Sequence, residues 1–158
     1  MSDIATTDTG TNETSERALP NNGFWPDIDP GQPPRMHYQV IDGLSKGPLL
    51  ENALIEAMTP VNSALMPWQA EKEKAGYSAL SAVHVPLWQD EDAYHCLYLR
   101  ALFSTAFAKL LETYPYIDIS PLGMERAKAI GGFWRDATWA VSEILERPVR
   151  ADILTNLE

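Results

Sequence analysis

The sequence predicts an all-α protein, a bundle of three to four helices with an extended N-terminal arm and an extended C-terminal tail. Two observations lead there. Apolar residues recur at steps of three and four over three long segments, the spacing of one buried helical stripe. Prolines and glycines fall in the gaps between those segments, where a chain changes direction. The 158 residues suffice for one domain plus an arm, divided as an arm over 1–47, a helical bundle over 48–147 and a tail over 148–158.

Up to Pro20 the arm is mostly Ser, Thr, Asp, Glu, Asn and Gly, a composition that cannot bury enough surface to fold alone. Pro20, Pro26, Pro30, Pro33 and Pro34 forbid a helix through its second half. Within that half stands "GFWPDID", residues 23–29, with two large rings side by side. Phe24 and Trp25 either dock on the chain's own core or dock on something else. Residues 36–43, "MHYQVIDG", alternate weakly and fit a short strand or an extended crossing.

The first helix opens near Pro48, a first-turn proline. Its stripe is Leu50, Leu54, Ala57, Val61, Leu65 and Trp68. Pro60 and Pro67 lie inside the pattern, each removing a backbone donor. A kink or break is expected near Pro60, with Thr59 able to cap a new start. Gly76 is the expected left-handed terminator. "YSALSAVHVPLW", residues 77–88, reads as a connection with one helical turn.

The second helix follows, with Asp90, Glu91 and Asp92 favourable at its N-terminus by the helix dipole. From Tyr94 to Leu111 only Arg100 and Lys109 carry charge. A helix apolar all round is central, touched on several sides. Pro115 stops it. The third helix is expected from Ser120-Pro121, a cap followed by a first-turn proline. Its stripe is Ala127, Ile130, Trp134, Ala137, Val141 and Ile144. Gly131 and Gly132 together cost about 2 kcal/mol relative to alanine, and mark either a kink or the close approach of another backbone. Pro148 ends the helix, and "VRADILTNLE" reads as extended.

The formal net charge is -10, which argues against a domain that grips nucleic acid by its phosphates. Half of the excess sits in residues 1–34, where Asp3, Asp8, Glu13, Glu16, Asp27 and Asp29 face only Arg17. A single cysteine, Cys96, leaves no internal disulfide to form, which suits a reducing compartment. The N-terminus lacks a basic stretch followed by an apolar run, so no secretory signal is expected. No window of about 18 apolar residues would span a membrane.

Catalytic, metal and cofactor signals are missing from the pattern. His95 and Cys96 are adjacent and diverge on a helix. "DID" at 27–29 lacks the glycine and distal glutamate of a calcium loop. Glu51, Glu56, Glu71 and Glu73 read as a solvated face, since no Glu-x-x-His partner accompanies them. No Gly-rich phosphate loop, serine elbow or zinc spacing is present. The expectation is a protein without enzymatic activity, metal or cofactor. Trp68 and Trp134 read as core, whereas Trp139, with Thr138, lies off the third stripe and is a candidate for a subunit interface.

The order of the pieces is that of a known family. A polar arm ends in "GFWPDID", a helix carries "AMTPVNSALMPWQAEKEKAGYSAL", a near-apolar helix ends "AKLLETYPYIDIS", and "FWRDATWAVSEIL" precedes "RPVRADIL". Over residues 23–155 the chain resembles the head completion (head stabilisation) protein L family of temperate contractile-tailed phages. The resemblance implies a first adaptor of the head-to-tail connector. Copies, by analogy twelve, form a ring beneath the portal protein after DNA packaging, stabilise the filled head and offer a surface to the next tail-side connector or tail terminator. Packaged DNA passes by without specific binding, and no membrane is involved. The place of action is the virion, after assembly in the host cytoplasm.

Within that role Phe24, Trp25, Pro26, Asp27, Ile28 and Asp29 are expected as an arm anchor, because aromatic residues dominate interface hot spots. Arg147, Arg150, Ile153, Leu154 and Leu157 are expected to meet the portal, an extended segment gaining affinity at a sheet edge. The rival reading is a small α-helical regulatory or scaffold protein that binds another partner through its arm.

Overall fold

Helix α1, Pro48–Lys74, runs without interruption through both prolines expected to break it. A proline leaves the carbonyl four residues earlier without a donor. For Pro60 and Pro67 those carbonyls belong to Glu56 and Ser63, and all four residues are exposed. Water can therefore serve both carbonyls, and the ladder on the buried side stays whole. The computed structural model describes residues 18–34, 47–85 and 92–145; the segment 36–43 and the tail from 148 lie outside them.

All six residues of the expected α1 stripe are buried, with Ala53, Met58 and Gln69 beside them. The helix ends as Gly76 foresaw. Gly76 has φ of 103°, its N–H donates to Glu73 O and the Tyr77 N–H to Lys72 O, each at 3.0 Å, the paired closure of a left-handed glycine terminator. The connection holds one 3₁₀ turn, Leu80–Ala82.

Helix α2, Ala93–Thr113, is the central element, and both other helices pack on it. Every residue from 101 to 108 is buried. Its C-terminus is closed from outside. The Arg126 guanidinium donates to Leu111 O at 3.1 Å, to Pro115 O at 3.0 Å and to Ile117 O. These carbonyls lie in and just beyond the last helical turn, which has no intrahelical donors left.

The start of the third helix differs from expectation. Ser120-Pro121 form a separate 3₁₀ turn, Ser120–Leu122, after Asp118 Oδ1 accepts the Ser120 N–H at 2.9 Å. Gly123 then adopts φ of 64°, a left-handed step that no α-helix continues through. Helix α3 occupies Arg126–Leu145.

Its buried line is also rotated by about one position from the expected stripe. Ala129, Phe133, Ala137, Ala140 and Ile144 are buried, whereas Ala127 is exposed and Ile130, Trp134 and Val141 are half-buried. Small residues at 129, 132, 137 and 140 bring the two helices close along this line, with Phe133 reaching Phe107 at 5.5 Å between ring centroids. The larger rings flank the seam instead of filling it. Trp134, expected in the core, sits at its edge with Nε1 donating to Glu112 Oε1 at 2.7 Å.

Candidate interaction surface

Residues 18–34 of the arm are folded onto the bundle. Leu19 and Ile28 exchange backbone hydrogen bonds of 2.7 and 2.9 Å, closing a loop whose turn is Asn21-Asn22-Gly23. Gly23 has φ of 90°. Asn22 Oδ1 accepts the N–H groups of Phe24 and Trp25 at 3.1 and 3.0 Å, the local side-chain turn that asparagine favours.

This loop drives two rings into the core. Phe24 is 4% exposed, Trp25 2% and Ile28 0%. Trp25 lies between two rings, 4.6 Å from Tyr98 at 6° and 5.7 Å from Trp68 at 22°. Phe24 meets Trp25 edge-on at 5.0 Å. The expected free aromatic anchor is thus corrected: these rings hold the arm to its own bundle, because α1 and α2 leave open the slot between Trp68 and Tyr98. Of "FWPDID", the groups that reach solvent are the exposed Asp27 and the half-buried Pro26 and Asp29.

A closed ring of hydrogen bonds pins the loop. Asn21 Nδ2 donates to Tyr98 Oη at 2.8 Å, Tyr98 Oη donates to Asn62 Oδ1 at 2.6 Å, and Asn62 Nδ2 donates to Asn21 Oδ1 at 2.9 Å. Asn21 Nδ2 also reaches Pro26 O at 3.0 Å, and its Oδ1 accepts the Asn22 N–H at 2.8 Å, which uses both donors and both acceptor positions of the amide. Burial pushes the Tyr98 hydroxyl up to about 12, against the smaller opposing effect of Asn21 and Asn62. The sequence reading missed Asn21, Asn62 and Tyr98 as a set; only the Asn-Asn-Gly turn signal was there to find.

Beside the loop, Gly23, Pro26, Asp27, Ser81 and His95 help line a groove of about 310 Å³. Among the described residues no three of His, Cys, Asp and Glu are placed to hold a metal, and no helix is long and apolar enough to cross a membrane.

On α3, Trp139 is 43% exposed. The Arg100 guanidinium lies 4.7 Å from its ring centroid and contacts Asp136 Oδ1 at 3.2 Å. Thr138 is exposed and donates to Trp134 O at 2.9 Å. A large exposed ring is thereby held against a cation that Asp136 pairs. Arg147, Arg150, Ile153, Leu154 and Leu157 lie outside the described residues.

What this arrangement offers is docking surface: a helical body with a pinned arm and an ordered exposed aromatic, the equipment of a structural protein that assembles with others. A family model described as "Phage head completion protein (GPL)" matches residues 19–151. The "Head completion/stabilization protein" of Escherichia phage P2 is 30% identical over 138 residues, spanning 84% of this chain and 80% of the relative. The chain belongs to the phage head completion protein family, and it is a structural component of bacteriophage head completion in virion assembly. No solved structure matches it.

Proposed function

We propose that this head completion protein binds as a ring, by analogy twelve copies, beneath the portal after DNA packaging. There it closes the filled head and presents the attachment surface for the next tail-side connector or tail terminator. The observation that carries the reading is the exposed Trp139 on α3, held by Arg100 of α2. Interface cores favour aromatic and arginine side chains, and Trp139 with Thr138 supplies the contact between neighbouring copies. A ring contact is heterologous, one face of each copy meeting a different face of the next.

The remaining parts have roles in the same assembly. Pro26, Asp27 and Asp29 form the outer edge of the pinned arm and are available to a neighbour. Arg147, Arg150, Ile153, Leu154 and Leu157 in the tail bind the portal. The net charge of -10 lines a passage that repels DNA phosphates, so packaged DNA passes without being held.

The test is to mix the purified chain with a candidate portal ring and image the product. A second ring stacked on one end of the portal is the expected result. Portal rings that stay bare at saturating protein overturn the proposal. Deleting residues 149–158 is expected to leave the helices intact and abolish portal binding; unchanged binding removes the tail from the contact.

A further inference from the structure

Two features of the described surface remain without a use inside one copy. The first is the outer face of α1. Residues 57–70 carry no Asp, Glu, Lys or Arg, in a chain that is 22% charged. Ile55, Thr59, Ser63, Met66 and Ala70 fall at steps of three and four on one exposed line of this helix, with Ile55 50% and Met66 52% exposed. The line is about 22 Å long at 1.5 Å per residue. A solvated helix face normally carries charge, whereas the core of an interface is depleted of it and enriched in methionine. Glu56 and Glu71, both exposed, stand near its two ends.

The second is Gly131. Glycine inside a helix costs stability relative to alanine, and two reasons usually justify it. A kink that breaks the helix is not one here, because α3 is continuous through this position. Close approach of another described residue is not one either, because a Cβ added at Gly131 would meet none of them within 4 Å. What is left is a bare notch between Lys128 and Arg135, in line with Thr138 and Trp139. All four of those flanking residues are exposed.

The geometry points to one contact that uses both. Copies of this chain pair head to tail, with the uncharged α1 face of one copy seated on the Lys128–Gly131–Arg135–Trp139 face of α3 in the next. The notch at Gly131 admits the helix backbone at its small residues Ser63 and Ala70. Trp139 covers the exposed Ile55 or Met66 end. Lys128 and Arg135 meet the glutamates that bound the α1 stripe, so charge complementarity selects this occupant over a second α1 face. The inference rests on the ring reading above and names the two surfaces that reading needs.

Gly131 supplies a test in which folding and association move in opposite directions. A Cβ at Gly131 has open space, and both Gly131→Ala and Gly131→Leu gain helix propensity, so thermal stability should hold or rise. If the notch receives a neighbour, Gly131→Leu weakens self-association by roughly tenfold or more, the loss of one hot-spot contact. Unchanged association in a folded Gly131→Leu protein overturns the proposal. The second measurement places one cysteine on each face, Ser63→Cys with Thr138→Cys in a Cys96→Ser background. Oxidation, alone and with the candidate portal ring present, should give a ladder of multimers, while each single-cysteine chain stays uncross-linked. Dimers from Thr138→Cys alone mean a symmetric contact and overturn it. Oligomers by light scattering without the ladder remove this pairing and leave the ring standing. Monomers under every condition remove the ring itself.

Discussion

Removing the Trp25 ring tests whether the arm is part of the folded body. Trp25 is 2% exposed and stacked between Tyr98 and Trp68. Truncating a buried Trp to Ala costs about 3–5 kcal/mol, a range that already contains ring-pair contributions of roughly 0.5–1.5 kcal/mol each. A domain of this size loses about 2–4 °C per kcal/mol. Trp25→Ala should therefore lower the melting temperature of the helices by about 6–20 °C, read by far-UV circular dichroism.

An arm can also let go without unfolding the bundle, and the same variant separates the two outcomes. If the arm detaches alone, the helix melt moves little, and the Leu80 amide, which donates to Phe24 O at 2.9 Å, exchanges with solvent at an early stage. If the arm is integral, helix melt and Leu80 exchange shift together. Trp25→Phe keeps a ring in the slot and removes an indole N–H that has no partner among the described residues, so its loss should be well below that of alanine. A Trp25→Ala protein that melts as the parent does, with Leu80 exchange unchanged, refutes the reasoning.

Tyr98→Phe opens the Asn21–Tyr98–Asn62 ring and should cost about 1–3 kcal/mol in denaturant titration, since two half-buried amides lose a partner. Because Tyr98 titrates at about 12 when folded against 10.0 as a free side chain, the unfolded chain releases this proton first as pH rises. The stabilisation is thus complete below pH 10 and is lost progressively as pH rises toward 12; Tyr98→Phe should flatten that limb, and an unaltered slope contradicts the assignment. Arg126→Ala leaves three carbonyls at the end of α2 without their donor and should cost about 1–3 kcal/mol by the same measurement. Pro60→Ala should stabilise, by up to about 3 kcal/mol, because the helix already passes through this exposed position; a loss of stability there means that Pro60 has a role the helix geometry does not reveal.

The legible parts of the fold were those that depend on local spacing. The α1 stripe and the central α2 follow from periodicity and from the scarcity of charge in α2. Where the structure departs from the reading, solvent access, a following turn or a contact from elsewhere decided the outcome. Pro60 does not break α1 because its unserved carbonyl faces water, and which face meets water depends on the partners. Ser120-Pro121 looks like a helix start by local rules, yet Gly123 turns the chain before α3 can begin. The rotation of the α3 stripe follows from Ala129, Gly132 and Ala140 lying against α2, which rewards close approach over bulk. Arg126 as a cap, and Tyr98 as the closing member of a ring with Asn21, join residues far apart in the chain, and no local pattern announces them.

The burial of Phe24 and Trp25 changes where the recognition chemistry has to lie. An arm that is exposed from end to end could carry binding by itself. With its two rings inside the core, the loop of residues 19–28 instead holds Asn22, Pro26 and Asp27 beside the bundle, where they form part of one fixed surface. The large apolar groups left outside on the helices are Ile55, Met66 and Trp139. They belong to α1 and α3, the two helices that flank α2, so one copy carries unlike surfaces on unlike elements. Two unlike surfaces are what head-to-tail association needs, and whether the result closes into a ring depends on the angle between them. Pinning the arm through Asn21 to both α1 and α2 holds those two helices in fixed relation. Opening that ring with Tyr98→Phe should then disturb assembly more than its modest effect on folding accounts for.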